Sequence, residues 1–246
     1  MWSDVFPGNR HTSTCLQPAV LATESALELA PERRQRTVWR LDGGSGSDAQ
    51  LAWLSARGYH FLAKGMSNRR AEALARQVSR WDMYAEQVWL GEVPAPFDYG
   101  RPVRVWVKRR YHKDQYVHSY YVSTLSLPSK ARYMAAYDAR GGAEVEQFRN
   151  DKSGLSLEAR RKHSLAGQKA YILLGDLAHN LLADFYWRAL HDSVFADYGI
   201  KRIVRDLLAT PGTLHFVDGQ LVRVELSQKQ FAQDLAICLE KYCTGY

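Results

Sequence analysis

Cysteine is scarce in this chain. Only Cys15, Cys238 and Cys243 occur in 246 residues, and no two form a C-x-x-C pair. An odd, scattered set excludes a disulfide framework and a thiolate zinc site, and it fits reduced thiols in a cytosolic protein. Long apolar runs are missing too. No stretch approaches the ~18 residues that a membrane-spanning helix needs. The N-terminus, Met1-Trp-Ser-Asp-Val-Phe-Pro-Gly8, lacks the basic start and apolar middle of a secretory signal. There is no internal repeat and no low-complexity segment. What the chain does have is apolar content, 46%, enough for a real core, and a net charge of +7. That charge suits a nucleic-acid or anionic-membrane partner.

The first 80 residues alternate helix and strand signals. Thr12 to Leu29 has helical spacing, with Ala19, Leu21 (or Ala22), Ala26 and Leu29 on its apolar stripe. Thr37-Val-Trp-Arg-Leu41 is a run of strand formers that stops at Asp42-Gly-Gly-Ser-Gly46. Ser47-x-x-Gln50 fits a capping box opening the next helix, and Gly58 sits where a helix closes. Tyr59 to Lys64 is a second strand, and Ser67 can cap a helix running through Val78. Such an order predicts parallel strands in an α/β layer. From Trp81 onward the character changes. Tyr84 to Val93, Pro102 to Tyr111 and Gln115 to Leu125 read as strands, either an insertion or a meander extending the sheet. In the second of them Val103, Val105 and Val107 alternate with Arg104, Trp106 and Lys108, which predicts one apolar and one cationic-aromatic face.

Helical character returns at Ser129. A long helix is expected from about Leu155 to Leu190, with Ala170, Leu174, Leu177, Leu181 and Phe185 inward. Leu214 to Leu226 then has a hairpin pattern around an Asp218-Gly219 turn. Ser227-x-x-Gln230 opens a last helix with Phe231, Leu235 and Leu239 inward. The organisation expected is therefore a first core part at 1–80, a β-rich block at 81–119, a second core part at 120–205, and a hairpin with a helix at 206–246.

Two carboxylates carry chemistry. On a helical reading of 137–152, Tyr137, Arg140, Glu144 and Phe148 share a face, whereas Glu146 points away. Asp42 stands at the carboxyl end of a strand, where open α/β sheets bind ligands. It could hold a hard divalent cation, with Glu144 as a second ligand. The blander readings are that Asp42 caps the turn after it and that Glu144 pairs with Arg140. Lys108-Arg109-Arg110-Tyr-His-Lys113, Arg69-Arg70, Arg160-Arg161-Lys162 and Lys201-Arg202 are basic clusters. Singly each reads as a solvated face, and together they favour nucleic acid. Trp89, Trp106 or Tyr111 could stack on an exposed base. His179-Asn180 reads as a buried hydrogen-bonded pair. Asp42-Gly-Gly-Ser-Gly46 lacks the lysine and spacing of a phosphate-cradling loop, and Ser45 lacks a nucleophile elbow.

Tyr137-x-x-Arg140-x-x-x-Glu144, followed by Lys152, resembles the YREK signature of DDE transposases encoded by bacterial insertion sequences. Arg40-Leu-Asp42-Gly-Gly, ahead of Leu54-x-x-Arg57-Gly-Tyr-x-Phe-Leu-x-Lys64, resembles the block holding their second aspartate. Phe6-Pro-Gly-Asn9 and Leu177-Ala-His-Asn-Leu181 look like flanking motifs. The resemblance implies an RNase H-like core, a mixed sheet with flanking helices, carrying a β-rich insertion and a C-terminal helical region with a hairpin. It implies metal-assisted hydrolysis and strand transfer at transposon ends, with Asp42 and Glu144 catalytic and holding Mg²⁺ or Mn²⁺. Tyr137, Arg140 and Lys152 would contact phosphates. The insertion, with Trp89, Trp106 and Lys108-Arg109-Arg110, would meet the DNA terminus. The implied partners are double-stranded DNA (transposon ends and target) and a second copy in a synaptic complex. No membrane and no small-molecule substrate are implied, and the implied place is the bacterial cytoplasm at the nucleoid. Two features depart from the pattern. Lys152 falls one residue late, and the family's first aspartate belongs on a strand upstream of Pro7. A truncated copy, inactive in strand transfer by itself, is therefore expected. The alternatives are a non-catalytic DNA-binding module or transposition inhibitor and, more remotely, an unrelated Mg²⁺ nuclease with the same core.

Overall fold

In a computed structural model of the protein, residues 6–7, 11–139, 152–157, 163–228 and 230–244 are described. The chain forms two compact units, one built on Phe6–Ala143 and the other on Glu144–Tyr246. Each is taken by itself.

The first unit grows from strand-forming runs that pair in one sheet. β1 (Val38–Leu41) and β2 (His60–Lys64) run parallel, with Val38 opposite His60 and Leu41 opposite Ala63. The alternation of helix and strand signals in 1–80 forecast this pairing. β3 (Trp81–Ala85), β4 (Val88–Val93), β5 (Arg104–His112) and β6 (Gln115–Ser123) follow as an antiparallel meander. Its last strand pairs antiparallel with β2, so the sheet has six strands in the order β1-β2-β6-β5-β4-β3. The β-rich block thus continues the sheet. The stretch expected as one strand over 84–93 is a hairpin. Its turn at Glu86-Gln87 carries neither glycine nor asparagine, although Gln87 takes a positive φ of 56°.

Helices cover both faces. On one side lie α1 (Leu16–Ala26), α2 (Pro31–Arg34), α3 (Asp48–Ala56) and α4 (Asn68–Ala75). Leu16, Val20, Leu51, Leu54, Ala71 and Leu74 meet Phe61, Val105, Val107 and Val122 there. Each large side chain so buried contributes about 1.5–3 kcal/mol relative to exposure. On the other side lies α5 (Lys130–Asp138), capped by Ser129, whose hydroxyl accepts from the Arg132 N–H. Tyr133, Met134 and Tyr137 of α5 pack on Leu62, Leu90, Trp106 and Tyr121. Because both faces are covered, Val105, Trp106 and Val107 are all buried. The apolar face and the cationic-aromatic face expected of β5 coexist only toward its ends.

Local signals were met unevenly. Gly58 closes α3 with φ +85°, and Ser67 caps α4 through the Arg70 N–H. Ser47 is the N-cap of α3 without a side-chain bond, and Gln50 donates instead to the Ser13 carbonyl at 2.8 Å, so the capping box does not form. In α1 the inward positions are Leu16, Val20 and Glu24; of the expected stripe Leu21 and Ala26 are exposed, and Leu29, past the end of α1, packs against the core. Glu24 is 8% exposed. Arg57 Nε donates to its Oε1 at 2.8 Å, Tyr59 Oη to the same oxygen at 2.9 Å, and Arg34 stands 3.5 Å from Oε2. The bond from Arg57 holds this carboxyl below the usual range, whereas burial pushes the Tyr59 hydroxyl up to about 12.

In the second unit α6 (Leu165–Phe185) runs on into a π-helical turn at Tyr186–Leu190. Its buried positions are Gly175, Leu182 and Phe185. Leu174, Leu177 and Leu181, expected inward, are exposed, His179 is half-buried and Asn180 is exposed. Gly175 explains the rotation, because a Cβ there would come within 2.6 Å of a Leu157 methyl. α7 (Ile200–Arg202) leads into a second π-helical turn, Ile203–Leu208. β7 (Gly212–Val217) and β8 (Gln220–Leu226) form the forecast hairpin, with Asp218 and Gly219 both at positive φ. α8 (Ala232–Thr244) starts after Gln230, so Ser227 and Gln230 do not open it, but Leu235 is buried and Phe231 and Leu239 pack beside it as expected.

Candidate active site and nucleic-acid surface

The carboxyl ends of β1 and β2 form a small platform. Leu41 anchors β1 in the core, and the chain then emerges at Asp42, which is exposed. The loop after it folds back. The Gly44 N–H donates to Asp42 Oδ1 at 3.0 Å and the Ser45 N–H to the Asp42 carbonyl at 3.2 Å. Gly46 packs on the backbone of Lys64 at the end of β2. Asp48, in the first turn of α3, is held by Arg70 and accepts from Tyr99 Oη at 2.8 Å. Burial, aided by that bond, pushes the Tyr99 hydroxyl strongly upward. Asp48 is therefore structural, locking α3 to α4. Sequence reading missed it because its partners lie 22 and 51 residues away.

α5 reaches the same end of the sheet. Arg40 Nη1 donates to the Ala136 carbonyl at 3.4 Å, linking β1 to the last turn of α5 two residues before Asp42. Tyr137 is 7% exposed, its ring edge-on to Tyr121 at 4.9 Å. It anchors the last turn of α5 on the sheet. Arg140 and Glu144 lie outside the described residues, as do Gly8 and Asn9 of the N-terminal motif and the cluster at 160–162. Lys152 is exposed. Among the described residues no three His, Cys, Asp or Glu side chains converge. The oxygen donor and exposure of Asp42 fit one carboxylate ligand of a hard cation, the rest of whose shell is water and substrate.

The aromatic and basic residues divide between the two faces. Trp106 is 1% exposed. It stacks on Tyr121 at 5.7 Å, contacts Tyr133 at 4.6 Å and points Nε1 at the Met134 sulfur, 3.2 Å away. No face of its ring is open to a base, because the covering helix α5 closes over it. Strand alternation puts Lys108 and Arg110 on the same side as Trp106, beyond its burial, and Arg109 on the opposite side. The run Lys108-Arg109-Arg110 is therefore not one patch. Arg109 lies over three rings, at 4.3 Å from Trp81, 4.7 Å from Tyr116 and 5.0 Å from Trp89. Its Nε is buried, with no hydrogen-bond partner among the described residues. Beside it Glu72, Arg76, Trp81, Tyr116 and His118 line a cleft of about 320 Å³. Burial and the neighbouring Arg109 hold the His118 ring below its ordinary value. Trp81 had no sequence signal, because it stands level with Gly91 and Val107 and reaches Arg109 only diagonally across the sheet.

The mixed sheet with helices on both faces and an exposed aspartate at a strand's carboxyl end is compatible with the RNase H-like fold of transposases. Residues 1–181 match the family described as the Transposase DDE domain, and the chain belongs to that family. No curated protein matches the chain. The family places it among nucleases and transferases that carry out transposition on DNA with divalent metal.

Proposed function

We propose that this protein is a transposase of the type carried by bacterial insertion sequences, acting on phosphodiesters at transposon ends with Mg²⁺ or Mn²⁺. Asp42 and Glu144 hold the metal, and Asp42 carries the reading: an exposed carboxylate at the carboxyl end of a strand, with one oxygen pinned by the Gly44 N–H. Bound there, the cation supplies Lewis-acid polarisation of the phosphoryl group and a lowered pKa for the attacking water. Arg140 and Lys152 bind phosphates near the transposon end, and Tyr137 seats α5 on the sheet beside Asp42's strand. Lys108 and Arg110 track the DNA backbone on one face of the meander, and Arg109, held among Trp81, Trp89 and Tyr116, presents charge on the other. A second copy completes a synaptic complex with the two ends.

The test is binding of the chain to a duplex carrying its own terminal repeat, by fluorescence anisotropy with and without Mn²⁺. Wild type gains affinity with the metal, and Asp42→Asn keeps the metal-free affinity but loses the gain. An equal gain in Asp42→Asn would refute a metal-ligand role. Indifference of wild type to Mn²⁺ would favour a DNA-binding module without catalysis.

A further inference from the structure

The loop Asp42-Gly-Gly-Ser-Gly46 is shaped by what its glycines lack. A Cβ on Gly46 would lie 1.9 Å from the Lys64 carbonyl oxygen and 2.9 Å from its carbon. Both are backbone atoms, and no rotamer change relieves them. Lys64 itself cannot retreat. It is paired to Tyr121 across the sheet, and the next N–H, of Gly65, donates to the Tyr120 carbonyl at 2.8 Å. Gly65 in turn lies so close to the Tyr120 ring that a Cβ there would come within 2.0 Å of it. The end of β2 is therefore fixed between β1 and β6, and the element that gives way to any side chain at position 46 is the loop. Position 46 is four residues from Asp42, which the loop ties down by the bonds from Gly44 N–H and Ser45 N–H. Gly44 adds a milder constraint that acts on the carboxylate directly, because its Cβ would stand 3.3 Å from Asp42 Oδ1 and 3.4 Å from the Thr12 Cβ.

We propose that Gly46 and Gly44 are positioning residues for Asp42. By letting the loop lie flat on the end of β2 they hold the carboxylate at the strand end, with Oδ1 committed to Gly44 and the group turned outward for a divalent cation. The inference rests on the proposed metal-ligand role of Asp42. It adds that the aspartate's orientation is set by backbone contact with β2. Partners that fix a ligating carboxylate typically matter ~10–100-fold in metal affinity.

The experiment is Mn²⁺ binding to the full chain, read as free Mn²⁺ by electron paramagnetic resonance, alongside thermal melts. Gly46→Ala weakens Mn²⁺ binding by about tenfold or more. Gly91→Ala is the comparison. Its Cβ would lie 2.1 Å from a Val78 methyl, away from Asp42, so it loses thermal stability and keeps wild-type Mn²⁺ binding. Gly199→Ala, with nothing within 4 Å, changes neither. If Gly46→Ala does not fold, Gly44→Ala decides, and it too weakens Mn²⁺ binding. Should the glycine variants bind Mn²⁺ as wild type does while Asp42→Asn does not, the positioning role is overturned and the ligand role stands. If Asp42→Asn itself binds as wild type does, both fall.

Discussion

Replacing Trp106 by alanine separates two accounts of that residue. The sequence pattern puts Trp106 on a cationic-aromatic face, where a tryptophan stacks on an exposed base. In the structure its indole is closed in by Tyr121, Tyr133 and Met134. A stacking residue on the surface costs ~1–3 kcal/mol of DNA affinity when truncated and leaves folding almost untouched. A buried tryptophan in a close-packed cluster costs about 3–5 kcal/mol of stability when cut to alanine, because transfer and cavity terms add. The lost sulfur–indole and ring contacts place Trp106 toward the upper end of that range. For a chain of this size ~2–4 °C of midpoint accompanies each kcal/mol, so the melting temperature falls by roughly 10 °C or more. The assay pairs a melt followed by near-ultraviolet circular dichroism with DNA anisotropy well below the lowered midpoint. The expected result is the large shift in midpoint, with the affinity of the still-folded variant little changed. An unchanged melting temperature with a tenfold loss of DNA affinity would refute the core assignment.

Two further outcomes follow from the same geometry. Glu24→Gln removes the charge that Arg57 and Arg34 face while keeping an acceptor for Tyr59, at a cost of about 1.5–3 kcal/mol near neutrality. Because the folded carboxyl is held below its unfolded value of ~4.3, its contribution is fully present above that pH and disappears as the pH falls through the folded value. Urea melts should therefore show the gap between variant and wild type closing in acid, and a gap constant from pH 7 to strong acid would contradict the ion-pair account. On the proposed DNA surface, Lys108→Gln and Arg110→Gln should each lower the slope of log affinity against log salt by about one, whatever the duplex sequence, and leave the melting temperature within a few degrees. Arg109→Gln differs, because it also gives up three ring contacts worth ~0.5–1 kcal/mol each, and it should lower the melting temperature as well.

Local chemistry was readable wherever one residue decides the backbone. Gly58, Ser67, Ser129 and the Asp218-Gly219 turn behave as their types require, since a positive φ or an orphan N–H is a local problem with a local solution. Reading failed where burial is set by distant partners. Glu24 occupies an inward position of α1 because Arg57 and Tyr59, more than thirty residues on, satisfy both its oxygens. A stripe count sees only a charged residue there and rotates the helix to avoid it. The same error recurs at α6, where leucine spacing favoured Leu174, Leu177 and Leu181, but Gly175 permits the closest approach. On β5 the alternation holds, but it does not divide the strand into one dry face and one wet. A sheet covered by helices on both sides buries both sets in its middle and exposes charge only at the ends.

The site shows why a cautious and a functional reading of one residue need not compete. Asp before Gly-Gly is a common turn former, and Asp42 does form the turn, accepting the Gly44 N–H at 3.0 Å. A neutral donor on one oxygen orients a carboxylate without cancelling its charge. Ligating carboxylates are usually hydrogen-bonded in this way, because an unfixed side chain loses rotamer freedom on capturing a cation. The turn bond is thus the means by which a strand end presents a fixed anion to solvent. A purely structural aspartate in the same unit looks different. Asp48 has Arg70 at its carboxylate and Tyr99 closing over it, so its charge is already answered. The contrast between the two aspartates, six residues apart at one end of the sheet, is why the proposed metal role falls to Asp42 and not to Asp48.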